Sequence, residues 1–509
     1  MVTVHADPRR SIRGKNNLSQ YRKPSSICLV ILAILSILPF TALGSGGGAA
    51  VTIPLSFSFI IQAPALNTYQ AFIAGGNGLP VFTESNFSRL MNNDILSSAL
   101  CLLGCSITLN PGRYNATQGI LVNRPSVTIT GSLASVINTM NVSFTNQLAC
   151  PGLRQLFCII GSTFTMTGLK IEDFARDTIG GVTGEAISIA SGSTNGLLQS
   201  LTIQNASSNG INFLGTNYII TTSTLTGPTP IPKTSGNHGI TIGGSNLRIF
   251  LNSISGFNGS DVAGINLGTS ATYITITANN LFKNSFGVAS IWGKFVKIEA
   301  NTINNNYAGG ILLTTSAFGS ASAGPITIND NTIVDNGQES GNDIQCNNVH
   351  CSGINIKGTR PAWDGITITS NTIKDTQAIH TQLYDIYIFS TQYTNLTIVG
   401  NTVGTTSSGL TIVMTVNALK SWIISENSGF NPQPVRGPLT AGATPFTYSN
   451  VDGYKEQIEL ITIGDMTAFT CRGIANIIQV DAISPILNTL DTCVFTYVAI
   501  APTYDVLPT

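Results

Sequence analysis

A short phrase recurs through the middle of this chain: an Ile-Thr-Ile-like run, two residues later an Asn, and soon after another aliphatic residue. It occupies 247–254, 274–281, 296–303, 326–333, 366–373, 396–403 and 422–429. The aligned asparagines are Asn252, Asn279, Asn301, Asn331, Asn371, Asn401 and Asn427, spaced 22 to 40 residues apart. A second phrase, Gly-Ile-x-Ile or close to it, begins at Gly210, Gly239, Gly264, Gly310, Gly353 and Gly409. Two strand-like runs per period with loops of unequal length mark a solenoid. A helical solenoid is disfavoured, because the runs alternate with period two and Asn, Thr and Gly form helices poorly.

The repeat has a physical reading. Alternating β-branched residues suit strands with one buried face. Wound into a coil, equivalent positions stack at the strand spacing of about 4.8 Å. The Ile residues then fill the bore, and the Asn side chains hydrogen-bond along a ladder at the bend. Asn301 and Asn331 are expected in that ladder, and Asn306 on an outer loop.

Composition narrows the function. Charged residues make up 9% of the chain and the net charge is +0. Nucleic-acid binding needs a clustered basic face, and the Lys and Arg here are scattered.

The first 44 residues read as a targeting segment. Arg9, Arg10, Arg13, Lys15, Arg22 and Lys23 precede an apolar run over 27–38, and Ala42-Leu43-Gly44 follows as a small-x-small site. The alternative is an uncleaved signal anchor, the one expected contact with a membrane. Either reading exports the rest. Outside the apolar run lie eight cysteines, an even number that fits disulfides in an exported chain. Neighbours in sequence give the simplest pairing: Cys101–Cys105, Cys150–Cys158, Cys346–Cys351 and Cys471–Cys493. No repeated C-x-x-C spacing points to zinc, and no cofactor is expected.

Residues 45–84 read as a linker or N-terminal extension. Ser85 is placed to cap a helix carrying Phe87, Leu90, Met91, Ile95, Ala99 and Leu103 on one face, closing the end of the bore. After it come Ile107-Thr-Leu-Asn-Pro-Gly-Arg-Tyr114, Gly119–Val122 and Val127–Gly131. Here the chain resembles pectin-lyase-like right-handed parallel β-helices: a capping helix, an I-x-L-x-P-G-x-Y strand and turn, then the first coil. The resemblance covers 85–430 and implies an all-β solenoid. That fold hosts lyases, glycosidases, epimerases, tailspikes and adhesins, so it does not assign an activity. Residues 431–509 read as a small C-terminal β-sandwich-like domain of short antiparallel strands.

Three segments carry candidate chemistry. Gly236-Asn-His-Gly239 resembles the Gly-His-Gly signature of polygalacturonases, but 218–235 holds no Asp or Glu to act as the paired acids. His238 is therefore expected to be a repeat residue pointing outward from a strand. Glu172, Asp173, Arg176, Asp177 and nearby Glu185 form a dense acidic group; a solvated turn with a local Arg–Asp pair is favoured over a Ca²⁺ site or a catalytic acid pair.

The longest excursion, between Asn331 and Asn371, is where function is expected on a rigid solenoid. His350 or Lys357 would supply a base and Arg360 a carboxylate neutraliser, as a uronate lyase or epimerase requires. Trp363 would stack on a sugar ring, with Asp364, Tyr384 and Tyr387 beside it. His380 is read as a polar loop residue. The expectation is an exported solenoid that recognises an extracellular polysaccharide, with lyase, hydrolase or epimerase activity open. The alternative is a non-catalytic surface or adhesin-type protein that uses the solenoid as a spacer.

Overall fold

The structure, a computed structural model, describes residues 56–508 except 66, 140–154, 173–184, 207, 229–236, 260–261, 316–323, 339–350, 359–362, 391–392, 405, 416–421, 431–435, 451–455, 477, 482–483 and 489. The targeting segment expected at 1–44 lies outside the described residues. Among the described residues, no helix is long and apolar enough to cross a membrane.

The repeat folds as a parallel β-helix. One coil shows the plan: Thr272–Thr277, then Asn280–Phe282, then Phe286–Ile291, after which Lys294–Glu299 pairs in parallel with the starting strand. The first, second and third strands of each coil stack into sheets of 15, 11 and 11 strands. We call these the first, second and third sheets. The Ile-Thr-Ile phrase forms the first sheet and Gly-Ile-x-Ile the third. Inward residues stack in register, as in Ile274, Val296, Ile326 and Ile366, each at most 1% exposed.

The Asn ladder forms at the bend between the first and second sheets. At Asn301, Nδ2 donates to Asn331 Oδ1 at 3.0 Å and to two backbone carbonyls, of Ile276 at 2.9 Å and Glu299 at 3.0 Å. The same contacts recur from Asn252 to Asn401, so buried amides are satisfied from rung to rung. A second ladder occupies the bend between the second and third sheets. Asn284 Nδ2 donates to Asn306 Oδ1 at 3.3 Å, and Asn306 Nδ2 to Asn336 Oδ1 at 2.9 Å. Asn306 is 0% exposed, so its expected place on an outer loop is corrected.

The N-terminal end also differs from expectation. Phe57–Ala65, Thr68–Ile73 and Phe82–Glu84 extend the first sheet through a parallel pairing to Cys105–Leu109 and two antiparallel ones. Asn86, rather than Ser85, caps the helical turn Phe87–Arg89, its Oδ1 accepting from the Arg89 N–H at 3.2 Å. The chain then winds more widely over Leu90–Ile95. Phe87, Leu90, Met91 and Ile95 join the bore's core, whereas Ala99 and Leu103 are exposed. Cys101–Cys105 is bonded across 5.0 Å between Cα atoms.

At the C-terminus, Arg436–Thr440, Thr503–Pro508 and Glu456–Thr462 form one antiparallel sheet. Phe446–Ser449, Thr492–Tyr497, Met466–Cys471 and Ile474–Ala475 form another. Ile458, Leu460, Phe469, Phe495, Tyr504 and Val506 share one core, stapled by Cys471–Cys493.

Candidate functional site on the outer face of the third sheet

The three sheets differ in what lies outside them. On the first sheet outward residues are largely exposed or half-buried, as in Thr275 and Lys297. On the third they are mostly buried, and Gln155–Ile159 and Glu185–Ile189 are buried on both faces. The long connections 139–154, 173–184 and 335–351 all join the second sheet to the third. Functional residues concentrate where the longest connections join a rigid scaffold, which points to the third sheet.

Near its N-terminal end this face carries a polar network. Glu185 Oε1 accepts from Asn212 Nδ2 at 2.8 Å and from Asn209 Nδ2 at 3.4 Å. Asn209 Oδ1 accepts from the His238 N–H at 3.0 Å and from Thr241 Oγ1 at 2.9 Å. His238 Nδ1 accepts from the Ala263 N–H at 3.0 Å, which leaves the ring proton on Nε2. That nitrogen lies 3.1 Å from the Asn266 amide, whose oxygen must then face it.

Burial pushes the Glu185 carboxyl above the usual carboxylate range, against the hydrogen bonds of Ser188, Asn209 and Asn212. Burial lowers His238 to about 4, so it is neutral at pH 7. Gln155, in register with Glu185, is 0% exposed, and neither atom of its amide finds a partner among the described residues. His238 does belong to the repeat, preceding the third-sheet strand Ile240–Ile242. It is 7% exposed, however, and not turned to solvent as expected.

Further along, Ala263, Phe286, Ala289, Ala308 and Leu312 pack together on the same face. Beyond them come Lys357, Tyr384 and Tyr387. The tyrosine rings stack at 5.1 Å with 17° between planes. Lys357 is in register with Phe389, which is 43% exposed. Three of the expected site residues therefore lie on one face, but Tyr387 is 6% exposed, so its ring supports Tyr384 and presents no plane of its own to a sugar, which corrects its expected role.

The others do not join them. Trp363 heads the first-sheet strand Trp363–Thr369, in register with Tyr393, and is 0% exposed. Its ring belongs to the core and presents no plane to a sugar, which corrects the stacking expectation. Asp364, also on the first sheet, is exposed and accepts from Asn395 Nδ2 at 3.1 Å. His350 and Arg360 lie outside the described residues, as do Asp173, Arg176 and Asp177. Glu172 pairs with Lys170 and, at 3.2 Å, with Arg113. Cys158 and Cys351 are disulfide-bonded; their expected partners, Cys150 and Cys346, lie outside the described residues. Among the described residues, no group of three or more His, Cys, Asp and Glu is placed to hold a metal ion.

Asp375, in the connection into Tyr384–Ser390, and Asp385, on that strand, are buried acids that sequence reasoning missed. Asp375 accepts from the N–H groups of Thr381 at 2.5 Å and Gln382 at 2.8 Å, and His380 Nδ1 lies 3.7 Å away. Asp385 stands where the coils before it place Gly310 and Gly353. Its carboxyl meets Gln382 Nε2 at 2.6 Å and the Gly404 N–H at 2.8 Å. Burial, with Asp375 nearby, pushes it up to about 8 despite those hydrogen bonds. With the Gln382 amide turned over, its oxygen, otherwise without a partner, accepts the Asp385 proton.

The sequence did hold a signal for the polar network. Aligned on the glycine, Asn209-Gly-Ile-Asn212, His238-Gly-Ile-Thr241 and Ala263-Gly-Ile-Asn266 place their outer residues on successive rungs.

The model of the right-handed β-helix region matches residues 156–324, in keeping with the sheets described above. Among solved structures, the chain is similar to the A-module of the mannuronan C-5 epimerase AlgE6 of Azotobacter vinelandii. The identity is 14% and the TM-score 0.41, over 64% of this chain and 91% of that one. It is also similar to the DFA-IIIase of Arthrobacter chlorophenolicus A6, at 12% identity and TM-score 0.43, over 64% and 77%. The Dettilon tailspike protein matches at 12% identity and TM-score 0.42, over 79% and 87%. No curated protein matches the chain.

Proposed function

We propose that this protein is an exported right-handed β-helix that binds an extracellular polysaccharide along the outer face of its third sheet. The observation that carries this reading is that Lys357 and Tyr384, the latter stacked on buried Tyr387, lie on the face that also bears the Glu185–His238 network. Tyr384, half-buried and backed by the buried Tyr387, offers apolar area to a pyranose, amides and hydroxyls match its hydroxyls, and a rigid sheet holds them at fixed rungs. Disulfide-bonded Cys101, Cys158, Cys351 and Cys471 suit an oxidising, extracytoplasmic compartment.

A catalytic reading has one specific observation in its favour. Glu185, with its raised affinity for a proton, and neutral His238 are two rungs apart on this face, separated by about 10 Å at the β-spacing. A carboxyl whose hold on its proton is strengthened by burial is the kind of group a general acid uses. His350, Lys357 and Arg360 remain the proposed base and carboxylate neutraliser.

The test begins with a glycan array probed with the full chain. Calorimetry on the best ligand then compares the wild type with Tyr384→Ala and Lys357→Gln. Each variant is expected to lose about 1–2 kcal/mol of binding without loss of fold. Unchanged affinity in both would remove the third-sheet site and favour the spacer alternative. An assay for reducing ends, unsaturated products and epimerised residues on the same ligand decides between binding and catalysis.

A further inference from the structure

The geometry points to a second glycan-binding surface, on the outer face of the first sheet, built for an acidic polysaccharide. It lies on a different sheet from the site proposed above and does not depend on it.

The observation begins with backbone geometry. At the corner where a coil enters the first sheet, most rungs carry one residue of positive φ. Asn195, Asn217, Asn246 and Asn395 fill this position at φ 58, 60, 52 and 58. Asn suits that conformation, because its short polar side chain tolerates the left-handed region; bulky side chains do not. Small residues, Ser126, Thr163 and Gly365, fill it on other rungs, and only Tyr273 at φ 56 and Phe295 at φ 54 place a bulky aromatic there among the described residues. They are in register neighbours, and their rings stack at 4.6 Å with 4° between planes.

Both rings are on the surface, 56% and 47% exposed. Each aromatic thus bears backbone strain and leaves about half its area in water. Mutual stacking offsets part of that cost and core packing offsets little of it. Strain held at an exposed position is a reason to look for a ligand.

The surroundings say which ligand. Arg248, Thr275 and Lys297 stand in one outward column, and Phe250, Thr277 and Glu299 in the next. Lys294 flanks Phe295. Among the described residues, Arg248, Lys294 and Lys297 make no ion pair, in a chain with only 9% charged residues. The single acid, Glu299, accepts from Thr277 Oγ1 at 3.1 Å. A shallow depression lies between the columns, lined by Arg248, Phe250, Thr275, Thr277 and Glu299. Three rungs span about 10 Å, room for two sugar rings laid along the axis. Arg248 Cζ lies 5.5 Å over the Phe250 ring, which holds the guanidinium on the surface without neutralising it. Aromatic rings beside cations that make no ion pair match a sugar carrying carboxylate or sulfate: the ring packs on Tyr273 and Phe295, and the anion meets Arg248 or Lys297.

The test is calorimetry on the full chain with three probes: oligogalacturonate, sulfated dextran and neutral dextran. Binding of at least one acidic probe, with none of neutral dextran, is expected; which acid binds tells carboxylate from sulfate. Tyr273→Asn combined with Phe295→Asn installs the residue that neighbouring rungs use. That variant should fold at least as well by thermal melt and bind at least tenfold more weakly. Arg248→Gln with Lys297→Gln should lose a similar factor and flatten the salt dependence. Failure to bind either acid, or affinity unchanged in both double variants, overturns the proposal. A dimer in sedimentation that the Asn variant abolishes, without glycan binding, would also overturn it and make a second copy the occupant. Tyr384→Ala in the same titrations keeps the two sites apart: a loss seen there alone supports the third-sheet reading and rejects this one.

Discussion

Asn306 hands its side-chain amide to Asn336: Nδ2 donates to Oδ1 at 2.9 Å, and the Asn306 backbone N–H donates to the same oxygen at 3.3 Å. Five residues earlier, Asn301 makes the equivalent pair of bonds to Asn331 at the other end of the second-sheet strand. Each second-sheet strand in this region is thus pinned at both ends by buried amides.

Removing either Asn strands the amide groups of its neighbours. Asn301→Ala and Asn306→Ala should each destabilise by roughly 1–3 kcal/mol, read as a lower urea midpoint. Thr302→Ala, on the exposed side of the same strand, should stay within about 0.5 kcal/mol of wild type. A normal midpoint for Asn306→Ala would show that the second ladder does not form.

Trp363 is fully buried, so its truncation leaves a cavity at the start of a first-sheet strand. Trp363→Ala should cost about 3–5 kcal/mol by chemical denaturation. Conditions that keep the variant folded should leave its glycan affinity near wild type. A weakened ligand with unchanged stability would return Trp363 to the site.

Two buried groups set opposite pH slopes. His238 is lowered to about 4 from an ordinary 6.5, so between those values the unfolded chain binds the extra proton and stability falls as pH falls. Asp385 is raised to about 8 from an ordinary 3.8, so in that window the folded chain binds the extra proton. Its contribution is complete below about pH 4 and is lost as pH rises through about 8. Asp385→Asn reproduces the protonated side chain, donating to the Gln382 oxygen and accepting from Gly404. Denaturation midpoints from pH 5 to 9 should decline less steeply in Asp385→Asn than in the wild type. Parallel declines would show that Asp385 is ionised in the fold.

Much of the scaffold was legible because a strand phrase repeats wherever the bore repeats. The runs at 274, 296, 326 and 366 fall on first-sheet strands, and their asparagines on the first ladder. The second ladder left a fainter trace: Asn279 and Asn284, Asn301 and Asn306, Asn331 and Asn336 repeat a five-residue offset on only three rungs. Asp385 and Gln382 then replace that pattern, so no long run advertises it. Trp363 was misread because its strand begins three residues ahead of the Ile-Thr-Ile phrase, and the register with Tyr393 carries it into the core. The outer face of the third sheet was hidden for another reason. Its residues come from phrases separated by loops of unequal length, and Glu185, Asn209 and His238 become neighbours only when the coils stack.

The central claim, that a glycan lies along the outer face of the third sheet, is tested most directly by hydroxyl-radical footprinting of the full chain with and without its best array ligand. Protection is expected at Tyr384 and Phe389, with no change at Ile423, an exposed residue of the first sheet. Equal labelling of Tyr384 and Phe389 in both states, at ligand concentrations that saturate binding, would contradict it.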